Sequence, residues 1–371
     1  MTIVSQRRYD IDWLRVLGVL LLVPFHAALI FVLDPNSIMY IKDTINSPVL
    51  SRMAGFIHMW HMPLLFIVSG SATFFALDFR SAGQYIRERF LRLFIPFLFG
   101  ILTYIPFTTY IQRSNIVTLP QAYLGFFHID FAQLDGTNGT FTPAHLWFIL
   151  YLFVFSLIGV PVFQTLRSKK SNWAALIAAI PIPLTLILLG IPLILAAAMN
   201  ILGDKNPIYY FLVFLYGFII ASDARFQQSI DQLTWGLLAF GVFAETIQLT
   251  TQHDYTAWTL SWIVYGIIYE TGRWTLTLAV LGLGHRFLNR TNKLLSYANE
   301  AAMPFYLLHM TFTVIAGFFV IRLNAPVLIK YPLIVLFATG LTFLAFGLVR
   351  RWAVSRWLFG MKIVEQKVKS A

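Results

Sequence analysis

Ten mainly apolar stretches, most of them about 20 residues long, lie along this chain, and no other feature constrains its fold as tightly. They cover residues 13–33, 53–77, 90–111, 146–163, 173–199, 209–221, 233–249, 258–283, 301–321 and 331–349. About 20 apolar residues wound as a helix cross the hydrocarbon of a bilayer. The 371 residues are 58% hydrophobic and only 12% charged, against about 25% charged in a soluble domain. A water-soluble globule of this length has too little interior for so much apolar surface. The runs are also long and unbroken, unlike the short alternating strands of an outer-membrane barrel. The expected fold is therefore all-α: a polytopic membrane helical bundle of about ten spans, forming a single domain over residues 1–371.

Net charge is +11, from 27 basic and 16 acidic residues. In a soluble chain that excess points to nucleic acid; among membrane spans it records orientation, because Lys and Arg stay on cytoplasmic loops. With the N-terminus inside, 19 of the 27 basic residues fall on inside segments and six outside, with Arg15 and Arg273 within spans. Both termini are therefore expected in the cytoplasm. Span 209–221 is short, but omitting it would put Arg286, Arg290, Lys293 and the basic tail outside, so the charge count argues for it. Arg7 and Arg8 precede an apolar run too long for a signal peptide, which reads as an uncleaved first span. The loop 112–145, with Gly136, Asn138 and Gly139, is expected outside, where it could cap a site. The tail from Arg350 reads as a polybasic segment lying on anionic lipid. There are no cysteines, so sulfur nucleophiles, disulfides and thiolate metal sites are excluded.

Ionisable groups within spans are costly and usually functional. Arg15 and His26 stand eleven residues apart in the first span, within about 20° of three full helical turns, and share a face with a rise of about 16 Å. Asp12 lies three residues before Arg15 and can pair with it. In the second span His58 and His61 are i,i+3, followed by Ser69 and Gly70. No carboxylate lies near these histidines in sequence, so no metal is assigned; packing at the interface or acceptor binding is the expected role for His61. Arg89 and Arg92, also i,i+3, stand at the inner mouth of the third span, either as ordinary inside-positive charge or as a phosphate clamp. His145 and Trp147 open the fourth span, and His309 falls near the middle of the ninth. Glu270 and Arg273 read as a neutralising pair in the eighth, and Glu245 is a lone acid in the seventh. The histidines lie at or outside the midplane and the arginines at the inner surface. One end suits a large anion and the other suits proton transfer.

The segments Asp12-x2-Arg15-x10-His26, His61-Met-Pro-Leu-Leu-Phe-Ile-Val-Ser-Gly70, Arg89-x2-Arg92-x3-Pro96, His145-Leu-Trp147-Phe and Tyr306-Leu-Leu-His309 resemble the acyltransferase 3 family of multi-pass membrane acyltransferases. The run Gly284-His285-Arg286-Phe-Leu-Asn289 is most similar to its glucan biosynthesis protein C branch, which decorates periplasmic glucans with succinyl groups. The resemblance implies O-acyl transfer in the cell inner membrane, from cytoplasmic acyl-CoA to a hydroxyl of an extracytoplasmic carbohydrate. Acetyl or succinyl is the expected acyl group. Acyl-CoA is a substrate; no permanently bound cofactor is expected. On this resemblance His26 is the catalytic histidine, Arg15 its companion, and Arg89 and Arg92 belong to the acyl-CoA site.

The chemistry agrees with that assignment. Attack of an alcohol on a thioester needs a base for the hydroxyl proton. His26 could act as that base, or be acylated transiently itself. His309, Trp147 and Ser69 are candidates for oxyanion stabilisation by location, and His61 and His145 for substrate binding. The competing class is a proton-coupled transporter using intramembrane His and Glu residues. Transporters commonly show internal repeats and paired broken helices, and neither is legible here. A membrane sensor or scaffold gives no reason for the alignment of Arg15 with His26.

Overall fold

The computed structural model describes residues 8–32, 39, 41–114, 116–130, 134, 139–168, 180–250 and 259–362. Among these the regular structure is helical and no strand occurs. In chain order the helices are α1 (Tyr9–Leu29), α2 (Pro48–Phe79), α3 (Ala82–Leu102), α4 (Tyr104–Arg113), α5 (Leu119–Phe126), α6 (Ala144–Arg167), α7 (Ile182–Leu188) and α8 (Gly190–Ala198). They continue with α9 (Pro207–Ser222), α10 (Ala224–Thr250), α11 (Leu260–Leu288), α12 (Lys293–Val320), α13 (Val327–Val349) and α14 (Ala353–Leu358).

Five of these, α1, α2, α6, α12 and α13, are long and apolar enough to cross a membrane. Two bent pairs raise the number to seven if each pair is one span. The chain is thus a multi-pass membrane protein. The expected third span is broken: α3 and α4 meet at 46° around Thr103. Within α3 the stretch Phe90–Phe94 widens into a π-turn, with the Ile95 amide donating to Phe90 O. Pro96 follows directly and has no amide to offer, and a π-turn is one way a helix absorbs such a gap. The expected sixth and seventh spans are α9 and α10, which turn by 104° at Asp223. Asn206 caps α9 by accepting from the amides of Ile208 and Tyr209. Asp223, in extended conformation, accepts from the Arg225 amide and pairs with its guanidinium at 2.6 Å.

The expected fifth span is described only from residue 180, where it forms two short helices, α7 and α8, parted at Leu189 between Pro183 and Pro192. Residues 173–179 lie outside the described residues, as do Gly136 and Asn138. The loop 112–145 is more structured than expected. It contains α5, closed by a capping box of Thr118 with Gln121 and started by Pro120.

By contacts the chain divides into two compact units. The first comprises Met1–Gly18, Gly55–Ile86 and Val154–Leu295; the second comprises Val19–Ala54, Arg87–Phe153 and Ser296–Ala371. In the first unit α2 and α9 approach backbone to backbone. A Cβ on Gly70 would stand 1.9 Å from Phe214 O, and one on Gly217 would stand 2.1 Å from Ile67 O. Close approach through small residues is how helices pack where water gives no hydrophobic drive. Ser71 adds a hydroxyl bond to Gly217 O at 3.0 Å across the same seam.

In the second unit α12 is largely enclosed, whereas α13 leaves Leu328, Leu336 and Leu344 exposed, as a lipid-facing helix would. Lys330 of α13 is buried and pairs with Asp43 at 2.8 Å. Glu300 of α12 holds Arg356 at 2.8 Å, and Arg356 also donates to Lys362 O. The tail reading needs correction here. Arg356 is buried on an acid inside the second unit rather than spread on lipid, and residues 363–371 lie outside the described residues.

Candidate functional site

The second unit brings three of the singled-out histidines into one row. The ring centroids of His26 and His309 lie 5.1 Å apart, and those of His309 and His145 lie 5.0 Å apart. The three come from α1, α12 and α6, far apart in sequence. His26 is half-buried, His145 is buried, and His309 is fully enclosed.

Each ring is oriented by a backbone carbonyl. His26 Nδ1 lies 2.9 Å from Leu22 O, His309 Nδ1 lies 2.6 Å from Tyr306 O, and His145 Nε2 lies 3.0 Å from Leu307 O. A carbonyl only accepts, so in each neutral ring the nitrogen facing it carries the proton and the other carries a lone pair. That leaves His309 Nε2 and His145 Nδ1 as bare ring nitrogens, both buried and both without a hydrogen-bond partner. On His26 the nitrogen without a proton is then Nε2. The row thus sets one partly accessible imidazole beside two enclosed ones.

Tyr306 frames the row. Its hydroxyl donates to His145 O, and its ring lies 5.8 Å from His145 and 5.9 Å from His309. It stands one helical turn before His309, the spacing that places two side chains on one face. The sequence shows Tyr306 within the segment Tyr306-Leu-Leu-His309, and the structure adds its place beside the row. Nearby in sequence, Thr311 bonds Thr108 at 2.8 Å, tying α12 to α4.

The remaining site residues are distributed as follows. Asp12 and Arg15 form the expected pair at 2.9 Å, in the first unit. Helix α1 is unbroken from Asp12 through His26, so the helical spacing behind the shared face holds. Arg92 lies in the π-turn and pairs with Glu88 at 3.1 Å. Gly360, at φ 66°, sits against the carbonyl of Arg92; a Cβ there would be 2.6 Å from that oxygen. Trp147 is half-buried, with its ring 5.2 Å from Tyr151.

His61 is not part of the histidine row. It is buried in the first unit with Nε2 2.6 Å from Gly18 O, a tie between α1 and α2. His58, its i,i+3 neighbour, instead lies 3.6 Å from Asp204. Ser69 donates its hydroxyl proton to Leu65 O at 2.7 Å, so it retains only acceptor capacity and does not suit the role of oxyanion donor. Glu270 and Arg273 stand 3.5 Å apart in the first unit, as the sequence spacing implied.

An all-helical multi-pass protein in which three histidines from separate helices stand side by side fits the class of membrane group-transfer enzymes. The family comparison makes the class specific: the acyltransferase domain model matches residues 8–351. The chain belongs to the acyltransferase 3 family and is an acyltransferase. Among curated proteins it is 23% identical to glucans biosynthesis protein C of Salmonella paratyphi B (strain ATCC BAA-1250 / SPB7), over 99% of this chain and 98% of the relative. It is 24% identical to the proteins of the same name from Salmonella heidelberg (strain SL476) and Salmonella typhi, with the same coverage. No solved structure matches the chain.

Proposed function

We propose that this protein transfers a short acyl group, acetyl or succinyl, from cytoplasmic acyl-CoA to a hydroxyl of an extracytoplasmic glucan, with His26 as general base. The histidine row carries the reading. The acceptor hydroxyl gives its proton to His26 Nε2 as its oxygen attacks the thioester carbonyl. The tetrahedral intermediate then collapses, the carbon–sulfur bond breaks, and the thiolate takes the proton back from His26 to leave as CoA. One ester forms, one thioester is lost, and no other reactant is needed. His309 stands behind His26. In its neutral form Nε2 is an acceptor, so it offers an oxyanion a hydrogen bond only as the imidazolium. Its first role is therefore to support the charge on His26 rather than to donate.

The acceptor class rests on the printed name of the curated relatives and on their near-complete coverage of the chain. Arg89 and Arg92 would hold the CoA phosphates, guanidinium being suited to phosphate. The same reading takes ten spans with both termini in the cytoplasm of an inner membrane. Its support is the 19 basic residues on inside segments against six outside, together with helices in the described part of each expected span. The charged CoA head would stay on the inside while its slender arm reaches inward, since moving such a head across hydrocarbon is costly.

Sealed vesicles of known orientation test the proposal. With acyl-CoA on the N-terminal side and glucan on the other, the expected result is acylated glucan and CoA left where it began. Product only when both substrates share one side would overturn the through-membrane arrangement. No CoA release with any glycan would favour the transporter reading instead.

A further inference from the structure

Two polar clusters of the first unit stand outside the transfer chemistry. One surrounds Arg273 of α11, which donates to Met59 O at 3.1 Å, a carbonyl left without its helical amide by Pro63, and to Tyr210 Oη at 2.8 Å. The Tyr209 ring lies 4.2 Å from the guanidinium and the Tyr209 hydroxyl bonds Glu270, so this cluster is satisfied from within. The other cluster grips the first turn of α1. It is built largely from the run Gly284-His285-Arg286-Phe-Leu-Asn289, which the transfer chemistry leaves unused.

Asp231 of α10 is its centre. One carboxylate oxygen accepts from His285 Nδ1 and the other from Gln227 Nε2, each at 2.8 Å. Arg286 donates to the backbone carbonyl of Asp231 at 3.1 Å. Gln227 is buried and turns its Oε1 to Arg8 at 2.8 Å. Arg8 in turn forks onto both carboxylate oxygens of Asp10, at 2.8 and 2.6 Å. Asp10 is fully buried in the first turn of α1, where a carboxylate needs such a charged donor.

Three more contacts hold the same turn. Asn289, which closes α11, accepts from the Tyr9 amide at 3.2 Å, one of the donors that a helix start leaves unpaired. Trp13 Nε1 donates to Arg290 O at 2.9 Å. Gly284 makes room for Leu14; a Cβ there would stand 2.6 Å from the Leu14 side chain. Asp10, Trp13 and Leu14 fall within an arc of about 100° on α1, and Arg15 and His26 point about 150° and 170° from the middle of that arc. A grip on one face of an unbroken helix sets where its opposite face points.

We propose that the run Gly284–Asn289, together with Asp231 and Gln227, seats α1 and fixes its rotation about its own axis, which makes His285 and Asn289 positioning residues for acyl transfer. The seat rests on the contacts above; its effect on turnover rests on the role proposed for His26.

The chain has no native cysteine, so a single Cys in place of the exposed Leu17, one turn beyond Trp13, can carry a nitroxide label that reports the rotation of α1. The full-length protein in lipid bilayers is measured for collision of that label with a lipid-soluble relaxation agent. Without the label it is measured for kcat and for KM with acyl-CoA. In His285→Ala the label is expected to become less accessible, because the flanking Val16 and Gly18 are buried. Turnover is expected to fall about tenfold through displacement of His26, with KM for acyl-CoA near wild type. His285→Asn, whose amide N–H takes the place of Nδ1, should restore both readouts. If His285→Ala gives too little folded protein, Asn289→Ala loses one bond and no charge and carries the same measurements. An unmoved label in these variants overturns the seat, and a moved label with unchanged kcat overturns its positioning role. Activity retained in His26→Ala would instead count against the proposed transfer mechanism and leave the label result standing.

Discussion

The histidine row of the second unit and the arginine cluster of the first resolve the same problem in opposite ways. Both place ionisable groups among apolar helices, where an uncompensated charge is costly. The histidines are held by carbonyls at 2.6–3.0 Å and need carry no charge at rest. The lone pairs of His145 Nδ1 and His309 Nε2 are chemical capacity. Arg273 is charged throughout, and its surroundings are built to keep it so: a carbonyl freed by Pro63, a phenol, an aromatic face and Glu270. Neutral groups that can become charged suit a reaction. A fixed charge with ordered neighbours suits the integrity of the helix packing.

The comparison can be broken by exchanging the expected phenotypes. The largest effect is expected from Arg273→Met, which leaves Glu270 buried without its cation. Breaking a buried pair in this way costs about 3–5 kcal/mol, so a marked fall in melting temperature and in the yield of folded protein is expected. A normal melting temperature would show that the cluster does not support the fold. His309→Phe keeps a ring in the row but removes its nitrogens. Acyl transfer is expected to fall about a hundredfold, with acyl-CoA affinity and melting temperature near wild type. Loss of stability with unchanged turnover per folded molecule would make His309 a packing residue. Replacing Arg89 or Arg92 by Ala should weaken acyl-CoA binding about tenfold, and more strongly at higher salt, where the remaining charges are screened. Unchanged affinity with altered membrane insertion would return both residues to ordinary inside-positive charge.

The membrane class was legible because about 20 apolar residues have few other solutions. The i,i+3 pairs were legible because helical spacing is fixed: Asp12 with Arg15, and Glu270 with Arg273, meet as read. Where proline or a wider turn interrupts the spacing, the reading failed. The continuous third span became two helices at 46°, with a π-turn over Phe90–Phe94 ahead of Pro96. His61 read as a site residue because periodicity gives a face without saying what covers it. Gly18 lets α1 approach closely enough to bond it; a Cβ there would be 2.7 Å from Leu65. The row itself was half visible. His26, His145 and His309 were each singled out, but only packing of α1, α6 and α12 sets them side by side. Tyr209 and Tyr210 gave no signal at all, since two tyrosines in an apolar helix look like core.

The central claim is that transfer runs through His26, the accessible end of the row. The most direct measurement is glucan acylation from acyl-CoA by His26→Ala in membranes where its abundance and melting temperature match wild type. The account predicts acylation at background level with acyl-CoA still bound. A variant that keeps most of the wild-type rate would contradict it, and would move the reaction away from the histidine row.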